Sequence, residues 1–124
     1  MQIYLACPYS HKDPKVKYPF HWEQIKARIL QARFNAVNQA AADLMARGHI
    51  VFSPISHSHP ISVQCGLPGD WEFWRQFDES FIAWCDEVHV LQLPGWDRSS
   101  GVQAEMEIAR DLGKTIMFIS QSIG

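Results

Sequence analysis

The fold of this chain is decided by residues 88–119, VHVLQLPGWDRSSGVQAEMEIARDLGKTIMFI. The run from Val88 to Leu93 is mainly apolar and ends at a Pro-Gly pair, a pattern that predicts a buried β-strand. From Val102 the apolar residues recur every three or four positions as far as Gly113, which predicts an amphipathic helix. Thr115 to Ile119 is a further apolar run and predicts another strand. A strand, a helix and a strand with short connections predict a parallel pair joined by a right-handed crossover.

The same alternation extends toward the N-terminus. Ile3 to Ala6 predicts a buried first strand, because Pro8 disfavours a helical conformation in the residue before it. Apolar residues between Ile25 and Met45 recur at helical intervals and predict a long helix that Gly48 ends. His49 to Ser53 then predicts a second buried strand.

The middle of the chain combines an irregular segment with a regular one. Pro54 to Gly69 contains three prolines and little periodicity, which predicts a long functional loop. Asp70 is a candidate N-cap for a helix from Trp71 to about Trp84, one face of which is aromatic.

Strands that alternate with helices predict an α/β fold. We expect one domain over residues 1–124, a three-layer sandwich around a doubly wound parallel sheet of the flavodoxin or Rossmann-like kind. The sheet should have four to five strands in the order 2-1-3-4. Ligands of such sheets bind outside the carboxyl ends of the strands, where the strand order reverses. The loops after strands 1 and 3 and the start of the last helix should therefore converge on one crevice.

Composition excludes several classes of function. The chain has 124 residues and a formal net charge of -2, with no basic stripe that would favour duplex nucleic acid as a partner. Its three cysteines show no metal-type spacing and favour a reducing, cytoplasmic setting. No signal-peptide pattern is present, and no apolar run approaches the ~20 residues that span a bilayer, so we expect no contact with membranes. Glycine-rich dinucleotide and P-loop motifs are also missing, and we expect no cofactor.

The start of the last helix is the first candidate site. The helix should begin near Gly101, where unpaired N–H groups and the positive end of the dipole favour a phosphate. Ser99 and Ser100 precede it, and each either contacts such a phosphate or caps the helix. Asp97 belongs to the same loop. Glu105, about one turn into the helix, is either a nucleophile or a solvated charge near the dipole.

Other candidates lie elsewhere on the same edge. Asp78 is a second candidate carboxylate, although a solvated surface position would also explain it. Pro8 and Tyr9 follow strand 1 and should line the crevice. His57 and His59 suggest a metal site, but the missing third ligand favours a hydrogen-bonding wall of a pocket, and we expect no metal.

Four segments taken together resemble the nucleoside 2-deoxyribosyltransferase superfamily. They are Tyr4-Leu5-Ala6-Cys7-Pro8-Tyr9, Ser53-Pro54-Ile55, Asp78 eight residues before Asp86, and Ser99-Ser100-Gly101-Val102-Gln103-Ala104-Glu105. The chain is similar to a branch of small bacterial and phage proteins of unassigned function. The superfamily also contains deoxynucleoside 5'-monophosphate N-glycosidases.

This resemblance implies roles for individual residues. Glu105 would be the nucleophile, Asp78 the carboxylate that assists proton transfer or holds the sugar, and Tyr4 the phenol that orients the nucleophile. Ser99 would contact a 5'-phosphate. The resemblance implies cleavage or transfer of the N-glycosidic bond of a nucleoside or nucleoside 5'-monophosphate, by a homodimer or homotetramer.

Two other functions fit the same crevice. One is a non-catalytic module that binds or senses a nucleotide. The other is a glycohydrolase of an NAD-type or sugar-nucleotide substrate, because a carboxylate in a crevice serves any N-glycoside.

Overall fold

The computed structural model describes residues 1–9, 21–68 and 71–121, without the side chains of Trp22 and Trp71. The elements are β1 (Gln2–Ala6), α1 (Trp22–Ala46), β2 (Ile50–Phe52), α2 (Pro54–Cys65), α3 (Trp71–Trp84), β3 (Glu87–Leu91), a 3-10 turn (Trp96–Arg98), α4 (Ser100–Asp111) and β4 (Thr115–Ile119). The predicted cap Asp70 lies outside the described residues. None of the helices within those ranges is long and apolar enough to cross a membrane.

The four strands form one parallel sheet in the order β2-β1-β3-β4. On β1, Tyr4 is in register with Phe52 of β2 on one side and with Val88 of β3 on the other. This confirms the predicted α/β fold and strand order. The order reverses at β1, so the carboxyl ends of β1 and β3 flank the position where such sheets bind ligands.

Alternate residues of β1 enter two separate cores. Ile3 and Leu5 pack with Val37 and Leu44 of α1 on one face of the sheet. Tyr4 and Ala6 face the opposite side, toward α3 and α4. The second core contains Tyr4, Ala6, Ile82, Cys85, Val88, Val90, Val102, Met106 and Ala109. Because successive strand residues point to opposite faces, a single short strand anchors all three layers.

The prediction of a long loop after Pro54 was wrong, because residues 54–65 form α2. Pro54 occupies the first turn, where its missing N–H has no helical partner to lose. Pro60 lies inside the helix and weakens it, but packing compensates. Ile55 packs against the core beside α1, and the His57 ring packs against Phe77 of α3. Contacts on two opposite sides also explain why the sequence has no single apolar stripe.

The prediction that the second strand is buried was also wrong. β2 has three residues and lies at the edge of the sheet, where Ile50 is 64% exposed and the other two residues are half-buried. An apolar run has the same appearance in an edge strand and in a central strand. The bounds of β3 also shift toward the N-terminus, to Glu87–Leu91, whereas those predicted for β4 are confirmed.

Candidate active site

Three side chains from distant parts of the sequence meet between β1, α3 and α4. The Tyr4 hydroxyl lies 3.0 Å from Oδ1 of Asp78 and 2.5 Å from Oε2 of Glu105. Tyr4 is fully buried, and Asp78 and Glu105 are 8% and 7% exposed. The structure therefore brings together the three residues to which the family resemblance assigns catalytic roles.

Local structure explains why these polar groups point inward. Tyr4 is one of the β1 residues that face α3 and α4. On α4, the buried positions are Val102, Glu105, Met106 and Ala109, which follow the spacing of a core-facing helical stripe. Glu105 thus occupies a position where an apolar residue would ordinarily lie, and it is not a solvated charge. The position of Glu105 within the apolar stripe of α4 is the sequence feature that could have indicated its burial.

Burial shifts the acidity of all three groups. Desolvation, reinforced by the charge of Asp78, raises the pKa of Glu105 from its ordinary value to about 8, although the hydrogen bond from Tyr4 lowers it. Desolvation likewise raises the pKa of Asp78 to about 6, again opposed by Tyr4. Burial first, and then the charges of Glu105 and Asp78, raise the pKa of Tyr4 well above its usual range. Near neutral pH the phenol is protonated and the pair of carboxyl groups retains a proton.

The number of protons determines the direction of the hydrogen bonds. A phenol has one proton and can donate it to only one carboxyl oxygen at a time. The Tyr4 hydroxyl therefore donates to Asp78 in one arrangement and to Glu105 in the other. The proton that the pair of carboxyl groups retains allows Asp78 and Glu105 to lie close together, because two ionised carboxylates would repel each other.

An arginine joins the two loops that follow β1 and β3. Nη1 of Arg33 donates to the backbone oxygen of Tyr9 at 2.9 Å, and Nη2 donates to that of Pro94 at 3.4 Å. Arg33 lies on α1, between residues of its apolar face, and no sequence pattern indicated this role. The contacts hold the carboxyl ends of the two strands together beside the site.

The start of α4 has the predicted capping arrangement. The Ser99 side chain accepts a hydrogen bond from the backbone N–H of Val102 at 3.2 Å, so Ser99 is the N-cap. Ser100 and Gly101 are exposed in the first turn, and Asp97 is exposed in the preceding 3-10 turn. A role for Ser99 in phosphate binding remains a prediction.

The two histidines lie on different sides of α2. The His57 ring is exposed and lies 5.9 Å from the ring of Phe52. His59 is buried, with Nδ1 at 2.6 Å from the Tyr9 hydroxyl and Nε2 at 3.2 Å from Oε1 of Gln31. The two rings are therefore not brought together. In the described ranges, no three His, Cys, Asp or Glu side chains are grouped as metal ligands.

The two remaining predicted residues follow β1 directly. Pro8 is fully buried and contributes to the packing beneath the loop. Tyr9 is half-buried and contacts His59 and Arg33. The hydrogen bonds of Tyr9 to His59 and of His59 to Gln31 link positions far apart in sequence, and no local pattern indicated them.

Comparison with known proteins places the chain in a family. The family model described as "Domain of unknown function (DUF1937)" matches residues 1–121. The chain belongs to this family. Curated protein sequences give no significant match.

One solved structure extends the comparison beyond this DUF1937 family. The chain is similar to a 2-deoxyribosyltransferase from the psychrotolerant bacterium Bacillus psychrosaccharolyticus. The two share 26% sequence identity and a TM-score of 0.54, over 100% of this chain and 77% of the other. This similarity supports the superfamily resemblance drawn from the sequence.

Proposed function

We propose that this protein breaks the N-glycosidic bond of a nucleoside or nucleoside 5'-monophosphate and passes the sugar to water or to a second base. The observation that carries the proposal is the contact of the Tyr4 hydroxyl with both Asp78 and Glu105 in the core. Similarity to a 2-deoxyribosyltransferase supports it. Glu105 is the nucleophile, Asp78 is the proton donor and Tyr4 positions both.

The first chemical step forms a glycosyl ester on Glu105. A carboxylate oxygen of Glu105 bonds to C1' of the sugar while the C1'–N bond breaks, and the electron pair of that bond leaves with the base. Asp78 gives its proton to the departing base. A second molecule, water or another base, then attacks C1', the ester bond breaks and Asp78 takes the proton that is released.

Tyr4 supplies the route by which the pair reaches the reactive state. Attack requires an ionised Glu105 and a protonated Asp78, so the proton that the pair retains must lie on Asp78. When that proton is on Glu105, Glu105 passes it to the phenol oxygen while the phenol passes its own proton to Asp78. This double shift needs both hydrogen bonds of Tyr4, at 2.5 Å and 3.0 Å. It leaves the phenol neutral, as its raised pKa requires.

The start of α4 is the subsite for a 5'-phosphate. Ser100 and Gly101 lie in the exposed first turn, where backbone N–H groups and the helix dipole favour an anion. Ser99 contributes its hydroxyl in addition to its capping role. The exposed Asp97 carboxylate adjoins this turn, where a hydroxyl of the sugar is the natural partner for it.

The test is release of free base. The purified chain is incubated with 2'-deoxynucleosides, ribonucleosides, their 5'-monophosphates and NAD, with and without a second free base, and the products are separated by chromatography. We expect release by the native chain and none by Glu105→Gln. Glu107 is an exposed carboxyl residue on the same helix, so Glu107→Gln is the matched control and should retain activity.

Three results separate the proposal from the other functions that fit the crevice. Release by Glu105→Gln at the native rate removes Glu105 from the mechanism. Tight nucleotide binding with no base after long incubation identifies a binding module. Release from NAD alone identifies a glycohydrolase of that substrate class.

A further inference from the structure

A groove of about 330 Å³ lies between α1 and α2, apart from the Tyr4 cluster. Its polar lining comes from Tyr9, Gln31, His59 and Ser62, and aliphatic side chains such as Leu30 complete it. Among the residues that the structure describes, none that lines the groove carries a formal charge at neutral pH. A groove of this composition suits a neutral, partly apolar ligand that makes a few directed hydrogen bonds.

The hydrogen bonds of His59 fix its tautomer. Nε2 of Gln31 donates to Oδ1 of Asn35 at 3.0 Å, which identifies the other end of the Gln31 amide as the oxygen. That oxygen only accepts, so the Nε2 atom of His59, 3.2 Å away, must carry a proton. Burial lowers the pKa of His59, so the ring is neutral and its Nδ1 has no proton.

The tautomer of His59 determines whether the Tyr9 hydroxyl can donate a hydrogen bond to a ligand or only accept one. A bare Nδ1 accepts, so the Tyr9 hydroxyl donates its one proton to it across 2.6 Å. Burial raises the pKa of Tyr9, which keeps the phenol protonated. Only the oxygen lone pairs of Tyr9 remain for a ligand. The serine hydroxyl can rotate to donate or accept, whereas the Tyr9 oxygen only accepts.

We propose that this groove binds the base portion of the substrate and selects bases that carry an exocyclic amino group, which donates a hydrogen bond to the Tyr9 oxygen. The inference rests on the proposed function for the identity of the ligand. Its position agrees with that function, because Tyr9 follows β1 directly and Arg33 holds its backbone oxygen beside the loop after β3.

The preference for amino-bearing bases arises because a hydrogen-bond acceptor on the base would face the acceptor oxygen of Tyr9. A base with a carbonyl oxygen in place of the amino group brings two acceptors together and leaves both without a proton. An unmatched polar pair of this kind typically weakens binding about tenfold or more. His59 and Gln31 act here as positioning residues, since they determine the direction of the Tyr9 proton.

The test measures binding of free bases to the full native chain by calorimetry. Adenine is compared with hypoxanthine, and cytosine with uracil, because each pair exchanges an amino group for a carbonyl oxygen. We expect the amino-bearing base of at least one pair to bind about tenfold more tightly. Equal affinities within both pairs, or tighter binding of the carbonyl bases, would overturn the proposal.

Two variants distinguish a directed hydrogen bond from simple packing. Tyr9→Phe removes the acceptor and should bring the amino-to-carbonyl affinity ratio close to one. His59→Leu releases the Tyr9 proton for the ligand and should move the ratio toward the carbonyl base. Gln39→Ala, on an exposed part of α1, is the control and should leave the ratio unchanged. An unchanged ratio in Tyr9→Phe contradicts the proposal even if His59→Leu fails to fold.

Binding of free bases involves no sugar and no bond cleavage. If the protein prefers amino-bearing bases but releases no base from any nucleoside, the result supports the proposed role of the groove and contradicts the catalytic proposal. Base release that depends on Glu105, without any amino preference, would do the reverse.

Discussion

Tyr4 of β1 and Glu105 of α4 are 101 positions apart in the chain, yet their side-chain oxygens lie 2.5 Å apart inside the core. The contact connects the central strand to the helix that starts at the predicted ligand edge. Because Asp78 contacts the same hydroxyl, a change in any one of the three side chains alters the proton balance of the other two.

Replacement of Glu105 by glutamine should reduce base release by at least about a thousandfold, since the variant has no carboxylate to bond to C1'. Glutamine matches the volume and has no charge to bury, so the fold should persist. Rates from chromatography, with circular dichroism as the check on folding, measure both. A folded variant that retains more than a tenth of the native rate contradicts the role of nucleophile.

The stability of the native chain should fall as pH rises from about 4.5 toward about 8. Glu105 has a raised pKa in the folded state, so the folded protein binds this proton more tightly than the unfolded chain, and the stabilisation disappears as the proton is lost. The pKa of Asp78 is also raised in the folded state, so loss of its proton lowers the stability further as the pH rises to about 6. Urea unfolding between pH 5 and pH 8 measures the slope. Glu105→Gln should give a clearly flatter profile, and identical slopes would contradict the buried protonated state.

Tyr4→Phe should slow turnover by roughly a hundredfold or more and move the pH dependence to higher pH. The phenol hydrogen bonds lower the pKa of both carboxyl groups, so their removal raises those pKa values further. Glu105 then ionises only at higher pH. The measurement is kcat/KM from pH 5 to pH 10. A midpoint that does not move would show that Tyr4 does not control the ionisation of Glu105.

Asp78→Asn should move the same midpoint in the opposite direction. Its negative charge contributes to the raised pKa of Glu105, so its neutralisation allows Glu105 to ionise at lower pH. Turnover should still be slow, most of all for bases that leave poorly without a proton. Glu72→Gln, at an exposed position of the same helix, is the control for α3. Equal losses for good and poor leaving groups would exclude Asp78 as the proton donor.

Ser99→Ala should lower the free energy of unfolding by about 1 kcal/mol, because the cap on the N–H of Val102 is lost. If Ser99 also holds a phosphate, the same change raises KM for a 5'-monophosphate more than for the nucleoside. Ser99→Asp separates the roles, since aspartate caps a helix well and repels phosphate. A KM ratio that neither variant changes would leave Ser99 as a cap alone.

The sequence predicted those parts of the fold that depend on local patterns. The spacing of Val102, Met106 and Ala109 predicted α4, in which all three are buried. The apolar run from Thr115 to Ile119 predicted β4, although the residues of this edge strand are exposed or only half-buried. The order 2-1-3-4 was chosen as the flavodoxin-like member of the arrangements that right-handed crossovers allow. The position of Glu105 in the buried stripe was also readable, although only the structure resolved its alternatives.

The features that the sequence did not predict depend on contacts across the fold. α2 contains Pro60 and lacks a single apolar face, and the packing of Ile55 and His57 on different neighbours stabilises it. Arg33 acts through two backbone oxygens, which are present in every residue and leave no trace in sequence. The partners Tyr9 and His59 are 50 positions apart, beyond the range of any helical or strand period.

Two residues of α2 that are only two positions apart pack against different helices. His57 contacts Phe77 of α3, and His59 contacts Phe34 of α1. Each residue added to a helix rotates everything after it by about 100°. Related chains should therefore tolerate many substitutions on the exposed side of α2 but very few insertions or deletions within it. In this segment, the structure therefore restricts length more strongly than composition.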